Sequence, residues 1–177
     1  MTAAQSAHTT PEPPLEVQVG KRLRERHLTI ATAESSTGGL IAERLTAISG
    51  SSEYVMGGVV AYADRIKQQL LGVQEETLIA HGAVSEPVAC QMADGARELF
   101  GADAALSVTG IAGPGGATAT KPVGLTYVGL SAADGTWVRR YIWHGDRTHN
   151  RQSAADAAFR LLLDYLDGKH ETARDSG

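Results

Sequence analysis

The chain has 177 residues, 42% of them hydrophobic and 20% charged, and its formal net charge at pH 7 is −4. These values are typical of a globular protein that buries a core, and they exclude a disordered or fibrous chain. A net negative charge gives no general attraction for nucleic acid, so we expect no nucleic-acid partner.

The only cysteine of the sequence, Cys90, excludes a disulfide framework and a cysteine-rich zinc site. It falls in a predicted helix, where we expect a buried small side chain. Residues 1–5 lack the basic start and apolar core of a signal peptide, and no segment approaches the roughly 20 apolar residues that span a bilayer. We therefore expect a soluble cytoplasmic protein without a membrane partner, and an unpaired thiol suits that reducing compartment.

Alternating helical and strand-like patterns fill the chain between two predicted flexible tails, residues 1–14 and 168–177. The remaining residues, 15–167, are predicted to form a single domain. Strands that alternate with helices and end in one hairpin indicate an α/β protein, a three-layer α/β/α sandwich with a mixed, mainly parallel sheet. The predicted elements are a helix at 15–26, a strand at 28–33, a helix at 40–47, a strand at 59–63, a helix through 67–71, a short helix at 75–80, a helix at 85–100 with Val88, Met92, Ala96 and Leu99 facing inward, a strand at 104–108, a hairpin of 123–132 with 136–143, and a helix at 148–166.

Three unusual segments follow predicted strands, at residues 34–39, 62–67 and 109–121. Ligands of open α/β sheets bind beyond the carboxyl ends of the strands, so these segments are candidates for one site. In the first, Ser35 would lie at a strand-to-helix turn, where unpaired helix amides can hold an anion or an oxyanion. The alternative is that Ser36 or, more naturally, Thr37 merely caps the helix.

A serine hydroxyl is a weak nucleophile and requires a base. No histidine makes an obvious partner, whereas Lys67 follows a buried strand by one helical turn and can serve as a base if its environment keeps it neutral. The alternative is an ordinary solvated charge on the surface.

The glycine-rich segment 109–121 matches neither the Walker A pattern nor the dinucleotide fingerprint. Its amides, with Thr109 and Lys121, suit a phosphate or carboxamide cradle, although a plain long connection remains the alternative. Arg147 and Arg151 are four residues apart at a helix start and suit a phosphate clamp, or else a salt bridge with Asp146 or with a glutamate. His144 and His149 lack a third ligand nearby, so no metal is expected.

Taken together, these segments resemble the C-terminal domain of the competence/damage-inducible protein CinA family, over residues 15–166. The resemblance rests on the order of several motifs: Thr-Ala-Glu-Ser-x-Thr-Gly-Gly at 32–39, Gly-Ser-Ser at 50–52, Tyr-x4-Lys at 62–67 with Leu-Gly-Val at 71–73, Gly-Ala-Val-Ser at 82–85, Thr-Gly-Ile-Ala-Gly-Pro at 109–114, Lys-Pro-Val-Gly at 121–124, and Gly-Asp-Arg at 145–147 with Arg151.

Stand-alone members of that family are nicotinamide-nucleotide amidases. The resemblance therefore implies hydrolysis of nicotinamide mononucleotide to nicotinic acid mononucleotide and ammonia by a serine–lysine mechanism, without metal or cofactor. It implies Ser35 as nucleophile, Lys67 as base and Tyr62 as their catalytic neighbour. The substrate-binding residues that we expect on this basis are Thr37, Gly38, Ser51, Thr109, Gly110, Gly113, Lys121, Arg147 and Arg151.

The sequence departs from the family pattern at two positions. Ser36 stands where cysteine is usual, and Ala117 replaces a common glycine. Neither change removes a proposed catalytic group. The larger members carry an N-terminal domain that resembles molybdopterin-binding proteins, for which this chain has no room. Rival readings are a regulatory or nucleotide-binding module that keeps the pocket without turnover, and a phosphate-ester hydrolase. A homo-oligomer is expected from the base rate for domains of this size.

Overall fold

The structure is a computed structural model that describes residues 12–169. Most of the two expected tails, residues 1–11 and 170–177, therefore lies outside the described residues. The described residues form six α-helices and five strands, in the order α1 (Leu15–Arg26), β1 (Ile30–Glu34), α2 (Leu40–Thr46), β2 (Val55–Val60), α3 (Asp64–Leu71), α4 (Glu75–His81), α5 (Glu86–Phe100), β3 (Ala104–Gly110), β4 (Leu125–Ala132), β5 (Gly135–Ile142) and α6 (Arg147–Leu166).

The five strands form one mixed sheet in the order β2-β1-β3-β4-β5. Strand β1 pairs in parallel with both β2 and β3, whereas β4 is antiparallel to both β3 and β5. Consequently β5 runs in the same direction as the three parallel strands, and only β4 is reversed. The carboxyl ends of four strands thus meet at one edge of the sheet, and this arrangement positions the candidate site.

Helices cover both faces of the sheet. On one face, α1 and α6 bury Leu23 and Phe159 against the strands. On the other face, α5 buries Val88 and Met92. Burial of such large apolar side chains contributes roughly 1.5–3 kcal/mol each. The predicted three-layer α/β/α sandwich is confirmed.

One inward position predicted on α5 is wrong. Leu99 is 50% exposed, while Val88, Met92 and Ala96 are buried as expected. The apolar stripe of the helix continues instead to Phe100, whose ring lies against Gly57 of β2. The difference of one residue rotates the contact by about 100° around the helix axis.

Strand β2 begins and ends earlier than the pattern predicts, at Val55–Val60 instead of 59–63. Gly57 and Gly58 weaken the strand signal, yet both sites require glycine. A Cβ atom at Gly58 would lie 2.3 Å from Thr32 Oγ1 in the neighbouring strand. The earlier end leaves Tyr62 in the link that follows the strand.

Strand β3 extends to Gly110, two residues beyond the predicted end. Thr109 and Gly110 therefore pair with Tyr127 and Thr126 of β4, and the long loop begins only at Ile111. Within residues 12–169, every helix falls short of the length or the apolar character needed to cross a membrane.

Candidate active site

The proposed nucleophile is held between two neighbouring strands. The Ser35 amide donates to the Val108 carbonyl of β3 at 2.9 Å, and the Ala61 amide donates to the Glu34 carbonyl at 2.8 Å. These two hydrogen bonds continue the parallel pairing of β1 with β3 and with β2 by one residue past the end of the strand. Ser35 therefore lies between the end of β3 and the link that carries Tyr62.

A cavity of about 210 Å³ opens at this edge of the sheet. Six of the predicted site residues line it together, although they come from three strand ends and two helices. The lining residues are Ser35, Ser36, Tyr62, Asp64, Lys67, Ala83, Val84, Thr109, Gly110, Ala112 and Arg147.

Glu34 caps the helix that follows the serine. Its carboxylate is 1% exposed and accepts hydrogen bonds from the amides of Gly39 at 3.0 Å, Ile41 at 3.0 Å and Ala42 at 2.9 Å. The prediction that Ser36 or Thr37 caps α2 is wrong, since Thr37 Oγ1 is buried without a hydrogen-bond partner in the described structure. Because Glu34 satisfies these amides, the hydroxyl of Ser35 is not used for capping.

Lys67 lies in the interior and not on the surface. Its side chain is 1% exposed, and Nζ donates to Asp64 Oδ1 at 3.1 Å and to the Tyr62 carbonyl at 3.3 Å. A lysine is almost never fully buried unless it is paired, so this placement is unusual. The reading of Lys67 as a solvated surface charge is not what the structure shows.

Arg147 connects the start of α6 with the mouth of the cavity. One of its terminal nitrogens donates to the Gly113 carbonyl at 2.8 Å and the other donates to Tyr62 Oη at 3.4 Å. Gly113 is thus placed behind Arg147 and does not line the cavity. Tyr62 remains 63% exposed at the mouth, where its ring can contact a ligand.

Another wall of the cavity is the link between α4 and α5, which contributes Ala83 and Val84. Thr109 Oγ1 donates to the Ala83 carbonyl at 2.7 Å. Lys121 reaches across from the long loop, and its Nζ donates to the Val84 carbonyl at 2.7 Å and to the His81 carbonyl. The Lys121 ammonium therefore fixes this wall and does not line the cavity.

Four more predicted binding residues are absent from the cavity lining: Thr37, Gly38, Ser51 and Arg151. Arg151 donates to the Thr37 carbonyl at 2.7 Å, so it supports the turn after Ser35 from behind. Gly38 is in that turn with φ 64°, and its amide donates to the Ser35 carbonyl at 3.1 Å. Ser51 precedes the first residue of β2, whereas Tyr62 follows its last, so Ser51 lies at the opposite edge of the sheet.

Three residues of the site were missed by the sequence reading: Glu34, Asp64 and Asn150. Asn150 is buried, its amide nitrogen donates to the Ala112 carbonyl at 3.0 Å, and its oxygen accepts from the Gly145 amide at 3.0 Å. Asn150 thereby links the loop after β3, which lines the cavity, to the residues just before α6. The available signal was a polar residue four positions before Ala154, in register with the buried apolar stripe of α6.

The turn that follows Ser35 keeps two backbone amides available for a developing negative charge. The amides of Gly38 and Gly39 are used internally, by the Ser35 carbonyl and the Glu34 carboxylate. Across residues 12–169, no acceptor is found for the amides of Ser36 and Thr37, which directly follow the serine. No group of three histidine, cysteine, aspartate or glutamate side chains in the same range is arranged to hold a metal ion.

Comparison with known proteins identifies relatives of this chain. A family model described as the CinA C-terminal domain matches residues 12–166. A CinA-like protein of Salinibacter ruber is 53% identical over 144 residues, which cover 81% of this chain and 35% of that protein. The chain spans little more than a third of the length of the full-length relatives that it matches.

Solved structures match over nearly their entire length. The competence/damage inducible protein CihA from Agrobacterium tumefaciens aligns with a TM-score of 0.81 and 39% identity, covering 90% of this chain and 99% of that one. A CinA superfamily protein from Escherichia coli aligns with a TM-score of 0.84 and 31% identity, covering 92% and 94%. The chain belongs to the CinA C-terminal domain family.

Proposed function

We propose that this chain is a cytoplasmic amidohydrolase that converts nicotinamide mononucleotide to nicotinic acid mononucleotide and ammonia, a step of pyridine nucleotide salvage. The observation that carries the proposal is the placement of the Ser35 hydroxyl and the buried Lys67 amine on one cavity. A hydroxyl nucleophile and a lysine shielded from water on the same cavity are the combination that serine–lysine amide hydrolysis requires. The family membership supports it, and the mechanism uses no metal and no cofactor.

In the proposed reaction, neutral Lys67 accepts the Ser35 proton while Oγ bonds to the carboxamide carbon and the carbonyl oxygen takes the negative charge. The amides of Ser36 and Thr37, free of internal acceptors among the described residues, hold that oxyanion. The Lys67 ammonium then returns a proton to the nitrogen, and ammonia leaves as the C–N bond breaks. Water cleaves the resulting ester by the same route in reverse and regenerates the Ser35 hydroxyl.

The rest of the substrate is placed by charge and shape. Arg147 is the cation at the mouth and binds the 5′-phosphate, and the exposed ring of Tyr62 packs on the pyridine. Gly110 lines the cavity, and its lack of a side chain lets β4 and Ser36 pack closely beside the substrate. Lys121, Arg151 and Gly38 act from behind by holding the walls and the serine turn, whereas Thr37 contributes its backbone amide to the oxyanion and its carbonyl to the bond with Arg151.

The test is ammonia release from nicotinamide mononucleotide by the wild type and by Ser35→Ala, Lys67→Met and Ser36→Ala. We expect Ser35→Ala and Lys67→Met to lose at least about a thousandfold in kcat, because each removes a member of one chemical unit. Ser36→Ala is the matched variant, one residue along, and retains the Ser35 nucleophile. Full activity of Ser35→Ala overturns the assignment, and a preference for free nicotinamide overturns the role of the phosphate.

A second candidate is a binding module that retains this pocket without turnover. It is favoured by one observation: the Nζ of Lys67 is bonded to Asp64 and to the Tyr62 carbonyl, and Ser35 is not among its partners in the described residues. Calorimetric binding of nicotinamide mononucleotide with no ammonia released distinguishes this module from the enzyme.

Analytical ultracentrifugation tests the expected homo-oligomer.

A further inference from the structure

The carboxylate nearest to the proposed base comes from a residue that neither the spacing nor the family resemblance singled out. Asp64 is the first residue of α3 and lies one turn before Lys67, with Oδ1 3.1 Å from Nζ. It also lines the cavity. The two members of the pair differ in environment, because the Lys67 side chain is 1% exposed and the Asp64 side chain is 57% exposed.

We propose that Asp64 is a positioning residue of the reaction: it holds the Lys67 side chain in place and stabilises the ammonium that forms when Lys67 accepts the Ser35 proton. This inference rests on the proposed function. It extends the serine–lysine pair to an ordered set of Ser35, Lys67 and Asp64. The aspartate contacts neither the substrate nor the reacting atoms and acts through the lysine.

Charge supports this assignment. A buried ammonium is unfavourable in a medium of low polarity unless a counter-charge or hydrogen bonds compensate it. The other charged group on the cavity lining is Arg147, a cation that disfavours a second positive charge, and Tyr62 contributes only a neutral carbonyl to Nζ. The remaining nearby carboxylate, Glu34, is already occupied by three amides of α2. Asp64 is therefore the carboxylate that faces the ammonium.

The hydrogen bonds of Lys67 Nζ also support the assignment. Nζ has two hydrogen-bond partners in the described structure, and both come from the segment that precedes it, Tyr62 and Asp64. A neutral amine has two hydrogens and one lone pair, so donation to these two acceptors leaves the lone pair to accept the Ser35 proton. The two internal bonds direct this lone pair toward the space that Ser35 and the substrate share. Asp64→Asn keeps an oxygen that can accept the hydrogen bond from Lys67 Nζ but removes the negative charge of the side chain.

Asp64 could instead serve merely as an acidic residue in the first turn of α3, where it would oppose the helix dipole. A double-mutant cycle separates the two roles. Asp64→Asn, Lys67→Met and the double variant are compared by thermal unfolding, with Glu75→Gln at the first residue of α4 as a matched control. We expect Asp64→Asn to lower Tm when Lys67 is present and to change it little in the Lys67→Met background. An equal loss in both backgrounds overturns the proposal in favour of the dipole role.

Kinetics give the readout that a purely structural role would not move. For Asp64→Asn we expect kcat for nicotinamide mononucleotide to fall about five- to tenfold, as when a charge-assisted hydrogen bond becomes neutral, with KM unchanged. A raised KM with unchanged kcat overturns the proposal and makes Asp64 a substrate-binding group. Modification of Ser35 by phenylmethylsulfonyl fluoride, followed by mass spectrometry, should slow by a similar factor.

The three measurements distinguish the failure of this inference from the failure of the proposed function. If nicotinamide mononucleotide is not hydrolysed but Ser35 modification slows in Asp64→Asn and not in Glu75→Gln, the substrate is wrong and the Asp64 role stands. If the nucleotide is hydrolysed and Asp64→Asn equals the wild type in kcat, the enzyme stands and the Asp64 role is overturned. Absence of thermal coupling overturns the role whatever the activity.

Discussion

The Glu34 carboxylate accepts a hydrogen bond from the Gly39 amide at 3.0 Å, across the turn that contains the proposed nucleophile. The residue before Ser35 thus caps the helix that begins after it. A buried negative charge at this helix start also compensates the positive end of the α2 dipole. The start of α2 therefore already has its negative charge, and our proposal assigns the substrate phosphate to Arg147 on the cavity lining.

Replacement of Glu34 should destabilise the protein and misplace the serine. Glu34→Gln retains one acceptor oxygen and places an N–H group where the second oxygen accepted a hydrogen bond from a backbone amide, so the free energy of unfolding should fall by roughly 2–3 kcal/mol. Urea denaturation measures this change. The matched control is Glu43→Gln, which removes an exposed carboxylate from the same helix and should change stability by less than about 0.5 kcal/mol. Equal effects of the two variants would contradict the cap.

Arg147 and Arg151 lie one turn apart on α6 and should give different phenotypes. Arg147→Gln removes the cation at the mouth of the cavity, so KM for nicotinamide mononucleotide should rise about 10- to 100-fold, the effect of losing a charged hydrogen bond. Steady-state kinetics measure it, with Arg140→Gln as a control at an exposed position of β5. Arg151→Gln loses the bond to the Thr37 carbonyl and should mainly lower the free energy of unfolding, by about 1 kcal/mol. A KM effect at Arg151 alone would assign the phosphate to that residue.

A methyl group at position 110 should crowd strand β4 and Ser36 beside the cavity. A Cβ atom at Gly110 would lie 2.8 Å from Thr126 Oγ1, 2.9 Å from the Leu125 carbonyl oxygen and 3.1 Å from Ser36 Oγ. Gly110→Ala should therefore lower the free energy of unfolding by roughly 1–3 kcal/mol and reduce substrate binding measured by calorimetry. Gly115→Ala is the control, because nothing lies within 4 Å of a Cβ atom there. Wild-type binding and stability of Gly110→Ala would show that β3 and β4 separate more easily than the packing indicates.

The cysteine should react slowly in the folded protein. Burial, with the Asp94 carboxylate as the next cause, raises the pKa of the Cys90 thiol to about 11. Because the thiolate is the reactive form, modification by Ellman's reagent at about pH 8 should be at least about 100-fold slower in the native protein than in urea. The native rate should also keep rising with pH until the pH passes about 11. A native rate equal to the unfolded rate would contradict this environment.

Much of the fold could be predicted from local patterns. The spacing of Leu15, Val19 and Leu23 predicts α1 correctly, and the two strands joined near Asp134 form the predicted antiparallel hairpin. Strand β2 was placed several residues late, because Gly57 and Gly58 are strand residues only on account of neighbours that come from elsewhere in the chain. A glycine that is required by a contact from a distant segment carries no local signal of that contact.

For the segment around Ser35, the sequence predicts residue types and local structure, whereas the contacts with distant residues come only from the fold. The sequence by itself determined the chemistry available there: a hydroxyl between a strand and a glycine-rich helix start, a lysine and a tyrosine after another strand, and an arginine at the start of the last helix. It determined these things because residue type and periodicity are local properties. Only the tertiary structure decided that Glu34 caps α2, that Lys67 is buried beside Asp64, and that Lys121 bonds to the cavity wall and does not line the cavity. Each depends on which strand ends lie side by side, and that order is set by packing of the whole sheet between its two helical layers.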